Sequence, residues 1–355
     1  MLSGWQDSNL RPSAPKADAI PGYATPRFFW FAKVGKKNGL HKSFYFQSYF
    51  KGLFLNIINM RKIIKSIKNK LLVFGNMIKF SHSIFALPFA FTSAITVYKI
   101  EKITFSLLDV CFLLICMVSA RTAAMGFNRI IDKNIDSINP RTKNRELPSG
   151  KISINTSYSI TIVCIIIFIC SSFLINQVCG FLSIPLIVLL LGYSLTKRFT
   201  FLSHFVLGLC LGAAPLGVWF SMSGGFHLAP VFLCLGVTFW AAGFDIYYSC
   251  QDEKFDKENN LNSLPAKIGA LNSILTVRII HFIAIIFFIV YGIYSNFGLI
   301  FYLGLILVSS ILIYEAWLLR KGDLKKINLA FFNLNGYVSI IFAITVLIDV
   351  LFLSK

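Results

Sequence analysis

The chain has 355 residues, of which 56% are hydrophobic and 14% charged, and its 34 Lys and Arg against 15 Asp and Glu give a formal net charge of +19. A soluble domain carries about 25% charged residues, so this composition, with a mean hydropathy of +0.71, excludes that class and describes a polytopic membrane protein. Nucleic-acid binding is excluded by the lack of a basic helix, an aromatic RNA platform or zinc-ligand spacing. The eight cysteines include no CxxC pair, which argues against a disulfide framework or metal knuckle.

Residues 1–59 differ from the rest. The opening GWQDSNLRPSAPKADAIPGYATPR is polar, rich in Pro and Ala, and lacks both periodicity and the apolar core of a signal peptide. It resembles the peptide read from a transfer-RNA gene upstream of a true start, so residues 1–59 are expected to be a disordered extension or absent from the native protein. Residues 60–355 are then the transmembrane domain. The segment from Met60 to Lys79 is basic, as expected of a cytoplasmic flank before a first span.

Nine apolar stretches follow, each near the roughly 20 residues that a spanning helix needs. They are expected at 82–99, 105–127, 155–175, 180–196, 203–221, 229–249, 276–294, 297–319 and 331–353, in an all-α bundle around a central cavity. With the N-terminus inside, one set of loops holds Lys133, Arg141, Lys143, Arg145, Lys151, Lys197, Arg198, Lys254 and Lys257, while the other holds little beyond Lys99 and Lys102. That asymmetry predicts a cytoplasmic N-terminus and an external C-terminus in a bacterial inner membrane. Gly208 and Gly212 have the GxxxG spacing that lets helices pack closely.

Two stretches at the ends of apolar runs carry acids. In the first, GFNRIIDKNIDSINPRTKNRELPSG, the residues Asn128, Asp132 and Asp136 stand at i, i+4 and i+8, which a helix would place on one face. In the second, DIYYSCQDEKFD, Asp252 and Asp256 are four apart, and Asp245 lies seven residues before Asp252 on roughly the same face. Carboxylates at a membrane boundary are costly unless they hold something charged. Hard oxygen donors suit Mg²⁺, which commonly brings a phosphate with it. Both stretches lie on the same expected side, so they read as two halves of a metal–diphosphate site.

A diphosphate also needs cationic donors. Arg141 and Arg145 follow the first stretch, Lys197 and Arg198 follow the fourth span, and Lys79 precedes the first. Arg121 lies inside the second span, where an arginine needs an acid or a substrate anion. Tyr193, Tyr247 and Tyr248 end the fourth and sixth spans, as interfacial aromatics or as cavity walls able to face a carbocation. His82, His204, His227 and His281 stand isolated and read as structural, and Asp109, Asp323 and Asp349 as boundary charges.

Asn128-Arg-Ile-Ile-Asp132 with Asp136, then NPRTKNRELPSG, then Asp245, Tyr248, Asp252 and Asp256, resembles the UbiA superfamily of intramembrane aromatic prenyltransferases. The resemblance runs from about residue 76 to the end. It implies two Asp-rich motifs holding Mg²⁺ against an isoprenyl diphosphate: Asn128, Asp132, Asp252 and Asp256 as the Mg²⁺ set, with Asp136 and Asp245 extending the motifs. Lys197 matches the family's diphosphate-binding position, and Lys79 looks like the basic residue that opens the first span. The Asn128-Arg129 head, where many relatives have Asn-Asp, is similar to the 4-hydroxybenzoate polyprenyltransferase branch and to relatives of a futalosine-type menaquinone route.

The implied reaction joins a polyprenyl diphosphate to the ring of 4-hydroxybenzoate or a related aromatic acid, with the lipid bilayer around the tail and no obligate protein partner. The ring-proton base is Asp245 or released diphosphate, and the acceptor's carboxylate meets Arg121, Arg129 or another residue. A cation-coupled transporter is the alternative from another class, although such proteins favour internal repeats and interrupted helices near the midplane.

Overall fold

The computed structural model describes residues 58–62, 64–78, 85–320, 322, 327 and 329–353. Lys79, His82, Asp323 and residues 1–57 of the expected extension lie outside these. The chain divides into two compact units at Lys65/Ser66, six residues past the expected start. Helical residues 58–62 and 64–65 are what is described of the first.

The second unit is all helical. After the helical residues 66–77 come α1 Leu87–Glu101, α2 Leu107–Ile131, the short α3 Lys133–Ile138, α4 Ile154–Ile175, α5 Gln177–Thr196, α6 Ser203–Ser223 and α7 Leu228–Ser249. A 3-10 turn at Cys250–Asp252 leads to the short α8 Glu253–Glu258 and α9 Leu264–Ile268. The chain finishes with α10 Ala270–Tyr294, α11 Leu299–Leu318, a π-helical stretch Leu329–Leu334 and α12 Asn335–Leu353. Eight helical stretches of the described residues are long and apolar enough to cross a membrane. The first expected span corresponds to α1, of which 15 residues are described.

Local chemistry sets the helix ends. Ser106 accepts from the Asp109 amide while Asp109 accepts from Ser106, a capping box that gives Asp109 its role. The Ser153 and Asn176 side chains cap α4 and α5 by accepting the Thr156 and Cys179 amides. Asp349 is a cap donated from another helix: its carboxylate takes the Gly298 and Phe301 amides at the start of α11, at 2.8 and 3.1 Å.

Helix α7 is central. Of its most apolar 18 residues 72% are buried, against 22–50% in the other spans, and it packs along α6 and α10. The α6 approach is so close that a Cβ on Gly208 would lie 2.2 Å from the Thr238 carbonyl oxygen, and one on Gly212 would lie 2.5 Å from that of Cys234. The GxxxG spacing thus serves packing, as expected. Phe89, Trp240, Phe288 and Phe342 interlock beside it with ring centroids 4.7–6.0 Å apart. The outer faces expose Ile166, Val188, Phe282, Ile306 and Leu307, an apolar surface that only lipid can solvate.

Candidate active site

The C-terminal ends of α2, α5 and α7 and the start of α6 meet at one end of the bundle, and the acids gather there. The helical continuation that would place Asn128, Asp132 and Asp136 on one face bends at Asp132, where φ is −88° and ψ is 4°. The i→i−4 bonds continue through the bend, from the Asp132 amide to Asn128 and from the Asp136 amide to Asp132. Asp252 makes the matching bend after α7, with φ −104° and ψ 6°. Each bend ends a spanning helix and starts a six-residue helix along the bundle's end. The same backbone device therefore presents Asp132 and Asp252.

The two stretches are tied to each other. Arg141, in the loop after α3, reaches Asp252 with Nε at 2.9 Å from Oδ1 and with its second terminal nitrogen on Oδ2. Its other terminal nitrogen donates to the Tyr248 hydroxyl at 3.0 Å, and its guanidinium lies over the Tyr248 ring. Asn139 also donates to Asp252, at 3.3 Å, and accepts from the Arg141 amide at 2.9 Å. Neighbouring residues of the α5–α6 turn make the second tie. Lys197 pairs with Asp256 of the second stretch at 3.1 Å, and Arg198 pairs with Asp132 of the first at 3.5 Å.

Within the first stretch, Asn128 donates to Asp132 at 3.0 Å. Arg145 places one nitrogen at 2.7 and 2.8 Å from the two oxygens of Asp136. Arg129 is buried, donates to the Met77 carbonyl at 3.3 Å and stands 4.0 Å from Asp136. It therefore braces Asp136 against helical residues 66–77.

The charges compensate unevenly. Burial first, and then Asp136, raise the Asp132 carboxyl above the usual carboxylate range, against Arg198 and Lys197. Burial alone would lower Arg141, but its bonds to Asp252 and Tyr248 prevail and hold it above its ordinary value.

Tyr248 is half-buried and also packs on Phe331, with centroids 4.5 Å apart. Tyr193 donates to the Met125 sulfur at 3.8 Å and lies within electrostatic reach of Arg121. Tyr247 is buried against His281. Asp245 is joined by His204 at 2.6 Å. Two participants are not legible in the sequence. Asn139 stands in the NPRT run and carries no charge to flag it. His204 lies 41 residues from its partner, a pairing that only the folded chain makes.

Residues 86–337 match the UbiA prenyltransferase family, and the chain belongs to it. The chain is 30% identical to a UbiA homolog from Aeropyrum pernix K1 solved in the apo state, with a TM-score of 0.67, covering 76% of this chain and 98% of that one. A UbiA homolog from Archaeoglobus fulgidus bound to GPP and Mg²⁺ has the same fold at 16% identity, with a TM-score of 0.57 over 78% of this chain and 99% of that one. Among sequences, the 4-hydroxybenzoate octaprenyltransferase of Vibrio parahaemolyticus is 25% identical, covering 64% of this chain and 80% of that protein. The protoheme IX farnesyltransferase of Listeria welshimeri is 32% identical over a shorter stretch, covering 42% and 52%. The protein is thus an integral membrane prenyltransferase of the UbiA type, which sets aside the transporter reading.

Proposed function

We propose that the protein catalyses Mg²⁺-dependent transfer of a polyprenyl group from an isoprenyl diphosphate to the ring of 4-hydroxybenzoate or a closely related aromatic acid, in quinone biosynthesis. The observation that carries this is the pair of ties from Lys197 and Arg198, which bring Asp256 and Asp132 from separate stretches under adjacent cations. The orientation follows the charge asymmetry of the loops: active site and N-terminus cytoplasmic, C-terminus outside, in a bacterial inner membrane.

The donor set fits Mg²⁺. Asn128, Asp132, Asp136, Asp252 and Asp256 offer only hard oxygens. Among the described residues no three Asp, Glu, His or Cys side chains converge as a ready cage. Mg²⁺ rarely needs one, since it binds through one or two carboxylates, waters and substrate phosphates. Bound there, Mg²⁺ would neutralise charge on the diphosphate and promote its departure.

The chain's own residues supply the rest. Arg141 and Lys197 exchange a carboxylate for diphosphate oxygens as the substrate enters, and Arg198 extends the same cationic collar. One such donor is worth about 10²–10³-fold in rate when charge develops on the leaving group. Arg145 and Arg129 hold Asp136 in place. Tyr248 and Tyr193 face the allylic cation with ring π-electrons. Apolar helix walls exclude water, which protects that cation from hydrolysis. Arg121 is the candidate partner for the acceptor's carboxylate.

The acceptor is the open term, because the Listeria relative is named for a haem substrate. Membranes containing the protein, Mg²⁺ and labelled isoprenyl diphosphates of several lengths are therefore to be offered 4-hydroxybenzoate, related aromatic acids including those of the futalosine route, and protohaem. Labelled prenyl-4-hydroxybenzoate that vanishes in Asp252→Asn supports the reading. Transfer to protohaem alone would replace it.

A further inference from the structure

The carboxylate of Asp245 is held unlike any other in the site. Asp132, Asp136, Asp252 and Asp256 each pair with an arginine or a lysine. Asp245 pairs with His204, whose Nδ1 stands 2.6 Å from Oδ2. The state of that histidine follows from its other nitrogen. The Leu264 amide donates to Nε2 at 3.3 Å, so Nε2 presents a lone pair and the ring proton resides on Nδ1. A neutral imidazole therefore donates to Asp245.

The fold fixes this arrangement from several sides. His204 lies in the first turn of α6, 1% exposed, and Asp245 in the last turn of α7 with its side chain 26% exposed. Leu264 opens α9, where Ser263 caps the helix. The loop before it is fastened by the Asn262 amide to the Lys197 carbonyl at 2.7 Å. The same turn that carries Lys197 thus anchors the amide that sets the tautomer of His204.

A neutral donor orients a carboxylate without neutralising it, which a guanidinium would do. Among the described residues Oδ1 of Asp245 has no partner. Seven residues of helix separate Asp245 from Asp252, a rise of about 10 Å. Asp245 therefore stands deeper in the bundle than Asp252, on the side of the apolar helix walls.

We propose that His204 is a positioning residue that aims Oδ1 of Asp245 at the acceptor ring, making Asp245 the base that removes the ring proton; this rests on the prenyl-transfer reading above. As the C1–O bond of the donor breaks, its electron pair leaves with the diphosphate. The ring carbon ortho to the hydroxyl forms a bond to C1 with its π-electrons. Oδ1 of Asp245 then takes the proton of that carbon, the C–H electrons restore the aromatic ring, and the proton passes from Asp245 to the released diphosphate.

The test uses the whole protein in membranes and whichever aromatic acid the wild type prenylates, with the ring positions ortho to the hydroxyl carrying hydrogen or deuterium. His204→Leu is expected to lower kcat about 100-fold, the cost of a small misplacement. It should leave the KM for the diphosphate nearly unchanged and raise the deuterium isotope effect, because proton removal becomes the slow step. His204→Asn, which retains an N–H near the Nδ1 position, is expected to recover most of kcat and the wild-type isotope effect. Unchanged kcat in His204→Leu, or a loss with an unaltered isotope effect in both variants, overturns the inference. A wild type that prenylates no aromatic acid overturns the acceptor reading itself, and the inference with it.

Discussion

Arg141 and Asp252 lie 111 residues apart, yet the guanidinium covers both oxygens of the carboxylate. This contact joins the loop after α3 to the end of α7. Arg141→Lys retains a charge but loses the two-pronged geometry, and it also loses the bond to Tyr248. The expected outcome is a KM for the isoprenyl diphosphate raised about tenfold or more, with a kcat reduced towards the 10²-fold typical of one lost donor. Steady-state kinetics on membranes at saturating aromatic acid check this.

Asp132 carries a cost in stability. Its carboxyl is raised above the ordinary range by burial and then by Asp136, so ionising it costs folding free energy. For a group raised on folding, the stabilising contribution is complete below its unfolded value and is lost as pH rises through the folded one. Asp132→Asn removes that cost, so the variant is expected to melt higher than wild type at pH 7. The gain should shrink as pH falls into the carboxylate range. The same variant should lose prenyl transfer and any protection by Mg²⁺. Thermal melting in detergent from pH 4 to 8, with and without Mg²⁺, reads all three.

Gly208 tests the packing that positions the site. A methyl group there meets the Thr238 backbone oxygen at 2.2 Å, and backbone cannot step aside as a side chain can. Gly208→Ala is expected to destabilise by about 1–3 kcal/mol, the usual cost of overpacking, and to reduce activity by shifting α6 with His204 relative to α7 with Asp245. Gly217→Ala, where nothing lies within 4 Å of the added carbon, should melt close to wild type. Parallel melting curves of the two variants check the contrast.

The spans were legible because lipid imposes one rule along their whole length. Expected 155–175, 203–221 and 229–249 became Ile154–Ile175, Ser203–Ser223 and Leu228–Ser249. The expected start at 276 fell six residues late, since Asn272, Ser273 and Thr276 lower hydropathy without breaking α10. The π-helical stretch before α12 was hidden because a wider turn leaves hydropathy unchanged; there the Asn335 side chain donates to the Ala330 carbonyl five residues back. The acid pairs were legible because i, i+4 spacing survives the bends at Asp132 and Asp252. Which cation meets which acid was not, because Lys197 and Arg198 turn to different stretches from adjacent positions.

Asp136 shows what spacing leaves out. Its i+8 place puts it in the proposed donor set, and after the bend Arg145 covers both its oxygens while Arg129 stands behind it. Asp136→Asn is therefore expected to lower stability, by releasing the buried Arg129 and the partly buried Arg145 from their partner. It should cost less in Mg²⁺ affinity than Asp132→Asn does. Melting temperature and Mg²⁺ dependence of activity, measured on both variants, separate the two roles.

The central claim is that both acidic stretches serve one Mg²⁺–diphosphate site, and the most direct measurement is Mg²⁺-dependent binding of an unreactive isoprenyl diphosphate analogue by calorimetry in a double-mutant cycle. With Asp132→Asn, Asp252→Asn and the double variant, the account predicts that each single change removes most of the Mg²⁺-dependent affinity and that the double change adds little more. Full Mg²⁺-dependent binding by either single variant, or losses that simply add, would contradict it.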